Sequence, residues 1–243
     1  MRAYAIGDIH GHLNLLLTAH NLITEDMARH GGPAPVIHLG DLVDRGPDSR
    51  GVIEHLLHGQ ARGEDWVVLK GNHDRMFSLF LDDPAAQDPG LRPDYSWLHP
   101  RLGGATTLAS YGIHAPGDRP VAPVHADAMA AVPQAHRDWL ASRPTMHRLG
   151  ELVFVHAGIR PGVAFEDQTE TDLVWIREPF LSDDRDHGAL IVHGHTALDA
   201  PMHYGNRLNL DSGAAYGGPL TAVAFEGREV FHLTPSGRVP LHN

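Results

Sequence analysis

Ala3-Tyr4-Ala5-Ile6-Gly7-Asp8-Ile9-His10-Gly11 joins a short apolar run to a carboxylate, an imidazole and two glycines. The run has the length of a buried strand. Asp8 and His10 lie two residues apart and so share one side of the chain as it leaves that strand. The same construction recurs along the sequence. Gly40-Asp41-Leu42-Val43-Asp44-Arg45-Gly46 follows Pro35–Leu39, and Gly71-Asn72-His73-Asp74 follows Trp66–Leu69. His156-Ala157-Gly158 follows Leu152–Val155, and Gly194-His195-Thr196 follows Ala189–His193. Asp-Gly and Asn-His pairs are common in ordinary turns, so one such segment alone carries little. Five in order, each with a ligand-competent side chain at a strand end, specify a site.

Between these runs the pattern is helical. Leu15, Leu16, Ala19, Leu22 and Ile23 carry helical spacing through Asn14–Met27. A second helix capped by Asp48 or Ser49 bears Val52, Ile53, Leu56 and Leu57, and a third runs from Asp74 to Leu81. Strands alternating with such helices predict an α/β fold with a parallel sheet. From 82 to 144 the pattern breaks at Pro84, Pro89, Pro93, Pro100, Pro116, Pro120 and Pro123. This stretch reads as a cap or insertion within a single domain spanning 1–243, without a sustained apolar core of its own, with one helix from Ala126 to Ala141 that Pro133 interrupts or starts. Beyond it we expect a hairpin turning at Gly150-Glu151, a helix over Thr171–Leu181 and an antiparallel finish through Arg207–Leu210, Leu220–Phe225 and Val230–Leu233.

Composition narrows the function. A net charge of −11 argues against nucleic acid as partner, since phosphate backbones reward Lys and Arg. Bound metal ions and a few arginines can still make a local positive site for a phosphorylated substrate. The absence of cysteine excludes disulfides and thiolate ligands. No apolar run approaches the ~20 residues of a membrane helix, and the opening run, interrupted by Asp8 and His10, is too short for a signal peptide. The expected location is the cytoplasm, with no membrane partner; the oligomeric state is left open. Most of the twenty histidines, among them His20, His30, His55, His58 and His242, read as ordinary surface or helix residues, and His38 and His193 as hydrogen-bonded core residues inside strands.

Asp8, His10, Asp41, Asn72, His156 and His195 all sit at the carboxyl ends of expected strands, where open α/β sheets place their sites. Carboxylate, amide and imidazole ligands together suit Mn, Fe, Zn or Co better than Ca. A carboxylate such as Asp41 can bridge two ions, and a pair ~3.5–4 Å apart can activate a shared water toward phosphorus.

The chain resembles the phosphoprotein phosphatase branch of the calcineurin-like metallophosphoesterases, in particular the bacterial and bacteriophage-lambda-type serine/threonine phosphatases. The likeness is carried by GDIHG at 7–11, GDLVDRG at 40–46, GNHD at 71–74, HAG at 156–158, Trp175-Ile176-Arg177, GHT at 194–196 and Asp211-Ser212-Gly213-Ala214. It implies two mixed β-sheets sandwiched between helices and two divalent ions, Mn foremost, with Fe, Zn, Co or Ni compatible. One ion would be held by Asp8, His10 and Asp41, the other by Asp41, Asn72, His156 and His195. Arg45 and Arg177 would grip the phosphate, with Arg160 and Arg185 as rivals for the second grip. His73, oriented by Asp44, would protonate the leaving oxygen. Asp74 would help to orient the His73 backbone, and Tyr216 resembles in position an aromatic beside the site in some relatives.

Asp44 and Thr196 side with phosphatases acting on a phosphorylated protein or peptide. Pro47 also occurs in the branch that cleaves dinucleoside tetraphosphates symmetrically, which is the alternative reading. A non-catalytic phospho-binding scaffold is disfavoured, because such proteins lose a metal ligand or the acid, and here all are present.

Overall fold

The computed structural model describes residues 1–242. The first sheet has six strands in the order β11-β10-β9-β1-β2-β3, where β1 is Arg2–Ile6, β2 Val36–His38, β3 Trp66–Val68, β9 Ala222–Glu226, β10 Glu229–Thr234 and β11 Gly237–Leu241. The second has five in the order β4-β5-β6-β8-β7, where β4 is Met146–Leu149, β5 Leu152–Val155, β6 Leu190–His193, β7 Met202–His203 and β8 Arg207–Asn209. Within each sheet three strands run parallel: β1, β2 and β3 in the first, and β5, β6 and β8 in the second.

Strand alternation stacks the two sheets. Ala3 and Ala5 of β1, with Val223 and Phe225 of β9 beside them, meet Leu152 and Phe154 of β5 and Leu190 and Val192 of β6 in one apolar layer. Tyr4 and Ile6 point the other way, into a core with α1 (Leu13–Arg29), α2 (Ser49–Ala61) and α3 (Asn72–Asp82). Val153, Val155 and Ile191 face α7 (Glu170–Trp175) on the opposite outer side. The result is the expected sandwich of two mixed sheets between helices.

Four local expectations are corrected. The 82–144 segment forms α4 (Gly104–Ser110), α5 (Val121–Ala131) and α6 (Gln134–Ala141), and Pro133 separates the last two. Far from lacking core, it buries Trp97, Leu108, Val124, Ala128 and Leu140 in the same cluster as α1 to α3. The helix expected over Thr171–Leu181 ends at Trp175, because Pro179 has no N–H to give and disfavours helix at Glu178. The finish is antiparallel in β9, β10 and β11, whereas β8 lies in the other sheet, antiparallel to β7 on one side but parallel to β6 on the other. Strand β11 itself was not foreseen, and its Pro240 is tolerated because the strand lies at the sheet edge.

Strand β11 is tied to the helical layer by Arg238, whose Nε and guanidinium NH2 donate to the two oxygens of Asp26 at 2.8 and 2.7 Å. The Tyr4 hydroxyl donates to the same carboxylate at 2.8 Å. Asp26 is buried, so removing Arg238 leaves its charge with only the Tyr4 hydroxyl and, at 3.1 Å, His30 Nδ1, at a cost of about 3–5 kcal/mol. Arg238→Ala should therefore lower the melting temperature by roughly 6–20 °C, at 2–4 °C per kcal/mol for a chain of this size. A shift within a degree or two in calorimetry would exclude this anchoring role.

His20, His38 and His55, from α1, β2 and α2, form a chain of imidazoles. His38 Nδ1 faces the Val67 carbonyl at 3.2 Å, so that nitrogen bears the proton and Nε2 accepts from His20 Nε2 at 2.9 Å. His20 Nδ1 is left to accept from His55 Nε2 at 2.9 Å, and Trp66 stacks on the His20 ring at 4.3 Å. His20, expected as an ordinary helix residue, is thus part of the core. Burial pushes His38 down to about 4 and His20 down to about 2, the latter also opposed by its two imidazole neighbours. The unfolded chain takes up protons near pH 6.5 that the folded rings refuse, so this stability is present above that pH and lost as pH falls. At pH 5 the loss is about 2 kcal/mol for each ring. The urea midpoint should fall between pH 7 and 5; a flat midpoint would exclude the neutral chain.

Candidate metal centre

Both parallel trios deliver ligands at their carboxyl ends. Asp8 and His10 follow β1, Asp41 follows β2, and Asn72 opens α3 just after β3. From the other sheet, His156 follows β5 and His195 follows β6. The six expected ligands are all present at this seam between the sheets.

Asp41 is its centre. Its Oδ2 lies 3.3 Å from His10 Nε2, and its Oδ1 lies 3.3 Å from His156 Nε2. One carboxylate thus faces two groups of donors, as a bridging ligand must. His10 Nδ1 stands 2.9 Å from the Val43 carbonyl and His156 Nδ1 3.0 Å from the Leu39 carbonyl. Carbonyls only accept, so each Nδ1 carries the proton and each Nε2 lone pair points inward, the backing arrangement usual for metal-ligating histidines. Asn72 Oδ1 completes the second group, 3.0 Å from His156 Nε2 and 2.9 Å from His195 Nδ1.

The first group is less simple than the sequence implied. The ligating atoms that converge within 4.8 Å are those of His10, Asp41 and His73. Asp8 stands alongside, its Oδ2 accepting from the His195 N–H at 2.9 Å. Its Oδ1 is buried without any partner among the described residues, and so is His195 Nε2. Burial, with Asp211 and Asp41 nearby, pushes the Asp8 carboxyl well up, and burial also raises Asp211. Burial lowers His156 and His195, keeping them neutral as ligands require. Crowded acids, an orphaned carboxylate oxygen and neutral inward imidazoles together fit divalent cations.

Around this centre His73 Nδ1 contacts Asp44 Oδ2 at 2.6 Å. Asp44 is fully buried and also accepts from Trp97 Nε1 at 2.9 Å and from the Thr107 hydroxyl at 2.7 Å. The intervening segment therefore buttresses the acid–base pair, a role its Pro-broken pattern concealed. Asp74 does not orient the His73 backbone. Its carboxylate accepts from Gly71 N and Leu42 N, tying two of the ligand loops together, while the His73 N–H donates to Asp41 Oδ1 at 3.0 Å.

The centre opens into a cleft of about 430 Å³ lined by Arg45, Arg92, Arg177, Tyr95, Trp175 and Tyr216. Arg160 and Arg185 are engaged elsewhere, with Asp172 and Asp183. Tyr216 is 71% exposed, and the Arg45 guanidinium lies 5.1 Å over its ring. Asp211 also lines the cleft. Its motif, Asp211-Ser212-Gly213-Ala214, does not by itself say what the carboxylate does, and nothing in the sequence around Arg92 and Tyr95 marks them as part of a site. Backbone geometry marks the same place. Among the described residues six non-glycine residues have left-handed φ, and His10, Asp41, Asp44, Arg45 and His195 are five of them.

The calcineurin-like phosphoesterase family model matches residues 1–225. The chain belongs to that family. It is accordingly an enzyme, a metallophosphoesterase. Among curated proteins it is similar to the asymmetrical bis(5'-nucleosyl)-tetraphosphatase PrpE of Anoxybacillus flavithermus, 27% identical over 92% of this chain and 90% of that one. It is also similar to serine/threonine-protein phosphatase 1 of Salmonella typhimurium, 28% identical over 92% and 91%. Its fold is shared by a crystal structure provisionally assigned as a diadenosine tetraphosphatase, with TM-score 0.66 and 22% identity over 100% of this chain and 94% of that one. A cold-active protein-tyrosine phosphatase from a Shewanella species shares it too, with TM-score 0.63 and 18% identity over 99% and 80%. No helix among the described residues is long and apolar enough to cross a membrane.

Proposed function

We propose that this phosphoesterase hydrolyses the phosphoanhydride chain of dinucleoside tetraphosphates. The observation that carries this reading is the cleft. Three arginines and three aromatic rings line it, in a chain whose net charge is −11. One phosphate ester needs one or two guanidinium grips; a polyphosphate flanked by bases suits a longer row of cations and stacking surfaces. The likeness to PrpE tetraphosphatases points the same way.

The residues divide the work. Asp41, His10, Asn72, His156 and His195, with Asp8 beside them, would hold two divalent ions, manganese being the first to try. Bound there, such ions supply Lewis acidity for attack of water on phosphorus. Arg45 and Arg177 bind the non-bridging oxygens and stabilise the charge that develops on them. His73 gives its Nε2 proton to the departing oxygen, and Asp44, accepting from Nδ1–H, fixes the orientation of the ring.

The phosphoprotein reading, which Asp44 and Thr196 favoured, stands second. The His73–Asp44 pair supports it, because a serine or threonine alkoxide needs protonation far more than a nucleotide does. The similarity to the Salmonella phosphatase agrees with it. Manganese-loaded protein should be given equal concentrations of diadenosine tetraphosphate and a phosphothreonine peptide, with products separated by chromatography. ATP with AMP would indicate asymmetrical cleavage and ADP alone symmetrical cleavage. Faster dephosphorylation of the peptide would overturn the proposal.

A further inference from the structure

Outside the metal centre, one buried ion pair borders the cleft without a part in the chemistry above. Asp88 is 3% exposed, yet its carboxylate accepts four hydrogen bonds. Arg75 Nε and NH2 donate to it at 2.7 and 2.6 Å, Trp175 Nε1 at 2.9 Å and the Gly90 N–H at 2.8 Å. Arg75 lies in the first turns of α3, three residues after Asn72, and its NH1 also donates to Thr171 Oγ1 at 3.2 Å. One carboxylate thus joins α3, the 88–92 segment and α7.

We propose that Asp88 is a positioning residue that sets the outer half of the cleft and so the grip on the part of the substrate beyond the scissile phosphate. This rests on the reading of the cleft as the substrate groove. The outer walls come from the very elements Asp88 joins: Gly90, Leu91 and Arg92 on one side, Trp175 on the other. The walls are locked close. A Cβ on Gly90 would lie 2.3 Å from the Trp175 ring, so only glycine lets the segment pass the indole. Trp175 in turn stands edge-on to His195, with ring centroids 5.8 Å apart. Most of the inner half of the cleft is built otherwise: Asp41, Arg45 and His195 hang from strand-end loops and His73 follows directly on one, while Arg177 alone comes from just beyond α7.

Stability gives a weak reason to keep such a pair. Taking an arginine and an aspartate out of water is costly, and apolar residues of similar volume often serve the fold as well or better. What they cannot supply is direction. Four converging donors fix the indole and the 88–92 backbone relative to each other, whereas an apolar contact would let them slide.

The test separates these roles. Asp88→Ala alone strands Arg75 and is expected to damage the fold, so the informative variants are Asp88→Asn and the double Arg75→Met/Asp88→Leu. The manganese-loaded double variant should melt near the wild type. Its KM for diadenosine tetraphosphate should rise about 10-fold, equivalent to 1.4 kcal/mol, with kcat little changed. Both parameters for p-nitrophenyl phosphate, which reaches only the inner half, should stay within about twofold. Asp88→Asn, which keeps acceptors for Trp175 and Gly90, should recover part of the KM. Equal losses on both substrates, or no change on either, would overturn the proposal. Should the wild type ignore the dinucleotide, the substrate reading above fails on its own, and the phosphothreonine peptide takes its place in the same comparison.

Discussion

Asp41→Asn is expected to abolish turnover while leaving the fold intact. Asparagine offers one oxygen where aspartate offers two. Its oxygen can still accept from the His73 N–H, and its amide has the size of the carboxylate it replaces, so the shape of the metal-free site is kept. What is lost is the second carboxylate oxygen and the charge between the two donor groups. Outer partners of metal ligands already cost 10- to 100-fold in affinity or activity when removed, so a bridging ligand should cost at least about 100-fold in both. Calorimetric titration with manganese and steady-state rates on one preparation check this, with a melting curve in chelator to show that the protein is folded. Retained turnover would sink the assignment of the centre.

His73→Asn should produce a loss that depends on the leaving group. General acid catalysis contributes about 10²- to 10⁴-fold, and only where the departing oxygen is a strong base. The full penalty is thus expected on a phosphothreonine peptide, and much less on p-nitrophenyl phosphate or a phosphoanhydride, whose leaving groups depart as stable anions. Asp44→Asn should follow the same ranking for a different reason. The buried carboxylate accepts hydrogen bonds from His73, Trp97 and Thr107. An amide in its place would turn donors toward donors and favour the wrong His73 tautomer. A uniform loss across all three substrates would count against proton donation by His73, whichever substrate is physiological.

The centre was legible because its chemistry is local. Each ligand lies within a few residues of the glycine that frees the turn and of the apolar run that buries it, so strand, turn and donor are read in one window. Arg177 could be preferred over Arg160 and Arg185 only through its neighbour Trp175, and the structure places Arg177 in the cleft and the other two in ion pairs with nearby aspartates. What escaped reading depends on distance along the chain. Trp97 and Thr107 meet Asp44 across 53 and 63 residues, and Asp88 meets Trp175 across 87. Their segment is so cut by proline that no helical period survives to show which side chains turn inward. The parallel placement of β8 was equally hidden, since periodicity says that a strand exists but not which neighbour it takes.

The left-handed backbone at His10, Asp41, Asp44, Arg45 and His195 sets heat resistance against activity. Side chains in that conformation cost of order 1–3 kcal/mol apiece, and glycine would avoid much of it. Arg45, half-buried and with its Nε left without a partner among the described residues, is where that exchange would be easiest. A population of variants screened for survival of heating alone should drift toward glycine at such turns and go silent as catalysts while growing sturdier. Only a screen that demands turnover after heating would hold these five side chains in place.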